Sequence, residues 1–167
     1  MGYEEHKHLS PKNVSCAVVI VSDSRTEKDD HSGDFIVKSL KDSGHRVHSR
    51  CILKNEAGSV RSRLNELLGD DDLQVIIISG GTGISHRDIT IETVSPMLDK
   101  KMDGFGELFR RLSYEEIKTG SVLSRAMAGV INSKVIICLP GSLGAVRLAM
   151  EQIILPEMGH MIREATR

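Results

Sequence analysis

Three short, unbroken runs of apolar and largely β-branched residues divide the chain. They occupy residues 16–21, 73–79 and 134–139, and each is continuous rather than alternating with polar positions. Continuous runs of this length are typical of parallel strands that are buried on both faces. Residues 46–53 alternate more regularly, which predicts a fourth strand that is less buried than the other three.

Helical spacing of apolar residues separates these predicted strands. One helix is predicted after Ser32, a candidate N-cap residue, and it ends near Gly44. A second helix is predicted over residues 60–68, and it ends at Gly69. Glycine commonly terminates helices in this way, and the alternation of strand and helix implies right-handed crossovers between parallel strands.

The C-terminal segment has the clearest helical period in the sequence. Apolar residues recur at i, i+3, i+4, i+7 and i+8 from Val146, and a second apolar face begins after Pro156. The methionines of this segment are expected in the core rather than in a ligand site. Residues 90–127 are expected to form shorter helical pieces interrupted by glycine, as a flap or a small subdomain beside the sheet.

Length and composition indicate one soluble domain. A chain of 167 residues can bury a core without disulfides or metals, and we expect residues 14–167 to form that domain after a flexible N-terminal arm of residues 1–13. The 3 cysteines share no CxxC spacing, as expected for reduced thiols. No apolar run approaches the about 20 residues of a membrane span, and the N-terminus is too polar for a signal peptide, so a cytoplasmic location is predicted.

Charge and aromatic content argue against nucleic-acid partners. The chain has 22 Lys and Arg against 23 Asp and Glu, a net charge of -1, so no basic surface is indicated. Aromatic residues make up only 3% of the sequence and Trp is absent, which leaves few rings on which bases could stack. A nucleic-acid-binding function is therefore disfavoured, and the charge says little about other partners.

Small and polar residues follow each buried run. Ser22 and Asp23 follow the first, the glycine-rich residues 80–83 follow the run at 73–79, and residues 140–142 follow the last. In an open α/β sheet, ligands bind beyond the carboxyl ends of the strands. Because glycine tolerates positive φ and close approach, successive N–H groups of such a loop can bind an anion.

The stretch ISGGTGISHRDIT at residues 78–90 matches neither of two common phosphate-binding motifs. No Gly-Lys-[Ser/Thr] follows its glycines, and His86 stands where a dinucleotide fingerprint has its third glycine. Two interpretations of Arg87 and Asp88 remain open. They form an ion pair that caps a helix at Thr90, or Asp88 binds Mg²⁺ beside a phosphate cradle while Arg87 pairs with phosphate oxygens or orients Asp88.

The ordered set of motifs resembles the MoaB/MogA family of molybdenum cofactor biosynthesis proteins, and its MoaB branch most of all. GGTG at 80–83, followed after three residues by RD-x-T, is similar to the family signature. The likeness extends over residues 14–160 and includes further motifs in the same order: DHSG at 30–33, GFGE at 104–107, LSR at 123–125 and PGS at 140–142.

This resemblance implies a fold and an activity. The implied fold is a three-layer α/β/α sandwich with a mainly parallel sheet, assembled as a homotrimer or hexamer. The implied ligands are molybdopterin and Mg-ATP, and the implied reaction gives adenylyl-molybdopterin and pyrophosphate. The alternative is a non-catalytic molybdopterin-binding or carrier protein, because Asn55 stands where adenylylating members have an aspartate.

The resemblance also implies roles for individual residues. Asp88 would be the metal ligand, and Asp88, Asn55 and Arg87 would form the catalytic set. A thiol at Cys138, where related members often have asparagine, cannot reproduce amide contacts to a pterin. The substrate-binding set would be Ser22, Asp23, Ser32, Gly80, Gly81, Thr82, Gly83, Thr90, Ser124, Pro140, Gly141 and Ser142.

Overall fold

A computed structural model describes residues 8–167, and the four predicted strands are all present in it. The strands are β1 (Ser15–Val21), β2 (Arg46–Leu53), β3 (Val75–Ser79), β4 (Lys100–Lys101), β5 (Met127–Ile131) and β6 (Lys134–Leu139). The helices are α1 (His31–Asp42), α2 (Ala57–Leu68), α3 (Thr90–Val94), α4 (Asp103–Ile117), α5 (Leu143–Ala149) and α6 (Leu155–Ala165), with 3₁₀ turns at Ser95–Met97 and Lys118–Leu123 and a π-helical stretch at Met150–Ile154.

The strands form one mainly parallel sheet in the order β2-β1-β3-β6-β5-β4. The neighbours β2, β1, β3 and β6 are parallel, whereas β5 and β4 are antiparallel additions at one side. Every residue of β1, β3 and β6 is buried, and β2 at the edge is half-buried, as the sequence predicted.

Helices cover both faces of this sheet, which confirms the predicted three-layer sandwich. Alternate residues of β1 point to opposite layers: Cys16, Val18 and Ile20 pack with α1, α4, α5 and α6, while Ala17 and Val19 pack with α2 and α3. Each fully buried aliphatic side chain contributes about 1.5–3 kcal/mol to folding. Burial on both sides therefore requires the unbroken apolar runs from which the strands were predicted.

Residues 90–127 differ from the expectation of short, glycine-broken pieces. They contain α4, a helix of 15 residues, and Gly104 and Gly106 lie in its first turn rather than at a break. A Cβ on Gly106 would lie 2.8 Å from the Ala126 carbonyl oxygen, so this glycine permits close packing of the helix against the chain. The strand β5 was also not predicted, because it has a glycine, Gly129, rather than a β-branched residue at the position that β4 approaches.

The N-cap of α1 is Asp30, and the prediction of Ser32 as the cap was wrong. The Asp30 carboxylate accepts a hydrogen bond of 2.9 Å from the Gly33 amide, and Asp30 is fully buried. Ser32 lies two residues further on, within the first turn of the helix, and its hydroxyl donates to the Gly141 carbonyl at 2.8 Å. Gly44 follows the helix with a φ of +81°, as a helix-terminating glycine should.

The C-terminal period is confirmed as one long helical segment. The predicted apolar positions of α5 and the π-helical stretch are buried, and Pro156 follows that stretch as the second residue of α6. Among the described residues, no helix is long and apolar enough to cross a membrane.

Part of the predicted N-terminal arm lies outside the described residues, namely residues 1–7. Residues 8–13 contact the domain. The Asn13 side chain donates to the Gly44 carbonyl at 2.8 Å, and a Cβ on Gly159 would lie 2.5 Å from the Pro11 carbonyl oxygen. These contacts hold the segment against α6 and the end of α1.

Candidate functional site

A cleft of about 520 Å³ lies at the carboxyl ends of β1, β3 and β6. The chain passes from β1 to β2 on one side and then returns to β3 on the other, so β1 and β3 flank a switch point of the strand order. The topology thus brings together segments that are far apart in the sequence. The predicted residues that line the cleft are Ser22, Asp23, Asn55, Gly80, Gly81, Thr82, Gly83, Asp88, Ser124, Pro140, Gly141 and Ser142.

Two glycines of the loop after β3 are required by its backbone path. Gly80 has a φ of +101°, and a Cβ there would lie 2.2 Å from the Val21 carbonyl oxygen. Gly81 has a φ of +64°, and its Cβ would lie 2.5 Å from both Asn55 Oδ1 and Thr90 Oγ1. Among residues 8–167, the amides of residues 81–84 donate no hydrogen bond, so they are available to an anionic ligand.

Thr90 and Ser32 lie behind this backbone rather than in the cleft. The buried Thr90 hydroxyl donates to the Gly80 carbonyl at 2.7 Å, and the Thr90 amide donates to the Gly81 carbonyl at 2.8 Å. Ser32 binds the Gly141 carbonyl, as described above. Both were predicted as substrate-binding residues. In the structure, their hydroxyl groups donate hydrogen bonds to the two loops that line the cleft and hold these loops in position.

Arg87 and Asp88 have separate partners. The Asp88 carboxylate lines the cleft and accepts the Ser85 amide at 3.0 Å. The Arg87 guanidinium binds Asp23 through Nε at 3.1 Å and Nη2 at 2.7 Å, so the Arg87–Asp88 ion pair, one of the two interpretations that the sequence left open, is not formed. Arg87 therefore connects the glycine loop to the loop after β1, and Asp88 keeps its charge directed at the cleft.

Asp23 also connects these loops to the end of β2. The Asp23 carboxylate accepts a hydrogen bond of 3.0 Å from the Asn55 backbone N–H. The hydrogen bond from the Asn55 backbone N–H and the Arg87 guanidinium together hold the pKa of Asp23 below its usual value. Because the Asp23–Arg87 pair is exposed to solvent, its contribution to stability is small, and its main effect is to fix the mouth of the cleft.

Asn55 lines the cleft, but its side-chain carbonyl oxygen is packed behind Gly81. Its Oδ1 atom is inaccessible to solvent and has no hydrogen-bond partner, although a carbonyl oxygen of this kind normally has one. Within the part of the chain that the structure describes, no three His, Cys, Asp or Glu side chains converge on a metal site. Asp88 therefore fits a Mg²⁺ ion held mainly by ligand phosphates, since Mg²⁺ commonly takes only one or two protein oxygens, and Asn55 Oδ1 would join it only after its side chain turns toward the cleft.

The two predicted serines differ in how their hydroxyl groups are used. Ser142 is the N-cap of α5, and its Oγ accepts the Ala145 amide at 3.3 Å. The Ser124 hydroxyl lines the cleft and makes no hydrogen bond within residues 8–167. The capping interpretation therefore holds for Ser142, whereas Ser124 is free to bind a ligand.

Comparison with known proteins identifies the family of this chain. A family model described as "Probable molybdopterin binding domain" matches residues 17–160. The chain belongs to this molybdopterin-binding family. Its full length is 48% identical over 168 residues to Molybdenum cofactor biosynthesis protein B of Bacillus cereus, with coverage of 100% of this chain and 99% of the relative.

Solved structures of family members have the same fold. A crystal structure of Molybdenum cofactor biosynthesis protein B superimposes with a TM-score of 0.91 at 48% identity, covering 95% of this chain and 99% of that one. The tungsten cofactor synthesizing protein MoaB from Pyrococcus furiosus superimposes with a TM-score of 0.86 at 38% identity, covering 95% and 100%. The resemblance and the fold predicted from the motifs are both confirmed.

Two arginines of this family member were not predicted as site residues. Arg125 donates to the Thr82 and Gly83 carbonyls at 2.8 and 2.7 Å. It also binds Glu92 at 2.6 Å and lowers the pKa of that carboxyl group. Arg25 lines the cleft beside the residues that follow β6. Arg125 could have been found from its place in the LSR motif directly after Ser124, but the only sequence signal for Arg25 is its loop after β1.

Proposed function

We propose that the cleft binds molybdopterin and Mg-ATP and adenylylates the terminal phosphate of molybdopterin. The observation that carries this proposal is the joint presence, in one cleft, of unpaired loop amides and the Asp88 carboxylate. An anion-binding loop beside a carboxylate favours a phosphate ligand accompanied by a divalent cation, since the anion and the carboxylate would otherwise repel each other. Membership of a molybdopterin-binding family supports a pterin phosphate as one ligand.

The proposed chemistry needs no protein nucleophile. An oxygen of the molybdopterin phosphate forms a bond to the α-phosphorus of ATP, and the bond from that phosphorus to the bridging oxygen of pyrophosphate breaks. The products are adenylyl-molybdopterin and pyrophosphate. Catalysis of such a transfer rests on alignment of the two ligands and on neutralisation of phosphate charge. A cleft of about 520 Å³ lies in the size range of small-molecule sites.

Asp88 and Asn55 would hold the metal ion that accompanies the nucleotide. A Mg²⁺ ion in this position supplies neutralisation of the charge on the phosphate oxygens. Asp88 contributes the protein's negative charge, and Asn55 would contribute a neutral oxygen once its side chain turns from behind Gly81 toward the cleft. The glycine loop orients the phosphates through its free amides, while Thr90 keeps the loop in place.

A second candidate function is a molybdopterin-binding or carrier protein without turnover. Asn55 favours it, because an amide supplies one negative charge fewer than the aspartate of adenylylating relatives and binds Mg²⁺ more weakly. The cleft itself would be unchanged in this case. Binding and catalysis therefore have to be measured separately.

We also propose a cytoplasmic homo-oligomer, a trimer or a hexamer. Exposed large apolar side chains are concentrated in α4 and the turn that follows it, namely Leu108, Tyr114, Ile117, Val122 and Leu123. Apolar surface gathered in this way is typical of a subunit interface. Sedimentation equilibrium of the purified protein tests this, and a monomer at micromolar concentration would contradict it.

The experiment that separates the two functions combines binding with turnover. Purified protein is mixed with molybdopterin, first alone and then with ATP and Mg²⁺, and retained molybdopterin and adenylyl-molybdopterin are both quantified. The proposed function predicts binding in the first sample and product with equimolar pyrophosphate in the second. Binding without product would assign the protein to the carrier function, and absence of binding would contradict both.

A further inference from the structure

A second cavity of about 260 Å³ adjoins the cleft. Its walls come from the loop after β1 and from the end of β2, and they include Thr26, Ile52 and Lys54. Two residues, Ser22 and Arg25, line both cavities. Arg25 therefore lies at the boundary between the two cavities.

The Arg25 guanidinium is held at this boundary from one side. Its Nη2 donates to the Gly141 carbonyl at 2.6 Å, and its Nη1 lies 3.8 Å from the Asp30 carboxylate, too far for a hydrogen bond. Asp30 is fully buried and is bound by Arg50 at 2.6 Å, so it is a fixed anchor. Only one of the five Arg25 N–H groups donates a hydrogen bond within residues 8–167; Nη1 faces the Asp30 carboxylate, and the remaining donors have no partner among these residues.

The other cations near the cleft have fewer donors to offer. Arg87 is bound to Asp23, and Arg125 is bound to two loop carbonyls and to Glu92. Lys54 donates to the Asp23 carbonyl at 2.6 Å. Arg25 is therefore the cleft-lining cation with the most unused donors among the described residues, and its side chain is 28% exposed at the boundary of the two cavities.

We propose that Arg25 is a catalytic residue that contacts the phosphoryl group as it is transferred between the two ligands. This inference rests on the proposed function. Adenylyl transfer requires two bulky ligand parts on opposite sides of one phosphorus atom, and two cavities that meet at Arg25 provide such an arrangement. The guanidinium stays protonated and donates hydrogen bonds to the non-bridging oxygens of the α-phosphate, whose charge is redistributed as the new bond forms and the bond to pyrophosphate breaks.

The test compares Arg25→Ala, Arg25→Lys and the control Arg61→Ala, an exposed arginine on α2. Loss of one preorganised donor to a transition state typically lowers kcat by about 100- to 1,000-fold, and we expect this for Arg25→Ala with less than about a ten-fold change in KM for ATP. Guanidinium ion added at millimolar concentration should restore part of the activity of Arg25→Ala. Arg25→Lys should recover less than full activity, because a lysine cannot bind Gly141 and phosphate in the same geometry.

The outcomes separate this inference from the proposed function. If the wild type forms product and Arg25→Ala retains kcat within about three-fold while remaining folded, the inference is wrong and the function stands. If the wild type forms no product, the proposed function is wrong, and the inference about Arg25, which rests on it, is wrong with it. Arg25→Lys retains the cation, so it serves if Arg25→Ala fails to fold.

Discussion

Replacement of Gly80 by alanine tests whether the glycine loop is required by geometry. The residue would have a φ of +101°, where an L-residue is disfavoured by about 1–2 kcal/mol or more. Its Cβ would lie 2.2 Å from the Val21 carbonyl oxygen, and a forced shift of packed backbone typically costs about 1–3 kcal/mol. The two effects predict a loss of about 2–5 kcal/mol, which for a domain of this size lowers Tm by about 4–20 °C.

A matched control is available at Gly144 in the first turn of α5. A Cβ there would meet nothing within 4 Å, so alanine should leave Tm unchanged or raise it by up to about 4 °C. Calorimetry of both variants measures the difference, and molybdopterin binding by the refolded Gly80→Ala protein should be weakened as well. A Tm for Gly80→Ala within about 1 °C of the wild type would refute the assignment of a sterically required glycine.

Three further predictions concern single side chains of the cleft. Asn55→Asp adds a charge beside Asp88 and should tighten Mg²⁺-dependent ATP binding in titration calorimetry; unchanged affinity would mean that residue 55 does not approach the metal. Asp23 has a depressed pKa in the folded state, so its contribution to stability is present above its unfolded pKa and is lost as pH falls below it; the Tm difference between wild type and Asp23→Asn should therefore vanish in acid, and a difference independent of pH would contradict this. Ser142→Ala should destabilise the protein by about 1 kcal/mol through loss of the N-cap. Ser124→Ala should weaken ligand binding without lowering Tm. A lower Tm for Ser124→Ala together with an unchanged Tm for Ser142→Ala would contradict these two assignments.

The sequence specified those parts of the fold that depend on burial. The strands β1, β3 and β6 were predictable because both of their faces are covered, which leaves only apolar positions. The strands β4 and β5 were not predictable. The strand β4 consists of two exposed lysines, and β5 contains Gly129, which permits close contact with a neighbouring carbonyl but has low strand propensity. Gly106 in the first turn of α4 was likewise misread as a break, because its packing role depends on Ala126, which is distant in sequence.

The site was predictable where a motif and a strand end coincide. Gly80, Asp88 and Ser124 all line the cleft as expected. The partner of Arg87 could not be predicted, because Asp23 is distant in sequence and approaches only through the order of the strands. The position of Arg25 could not be predicted either, because its hydrogen-bond partner Gly141 follows a different strand, β6.

Metal-dependent transfer of adenylate to molybdopterin is measured by the rate of adenylyl-molybdopterin formation in wild type, Asp88→Asn and Asp71→Asn. Asparagine at 88 can still accept the Ser85 amide, so the fold should be retained while the charge facing the cleft is lost. If Asp88 holds the metal ion, the wild type and the exposed control Asp71→Asn form product in a Mg²⁺-dependent reaction. The rate from Asp88→Asn is then at least about 100-fold lower. Equal rates from all three proteins would contradict this role of Asp88.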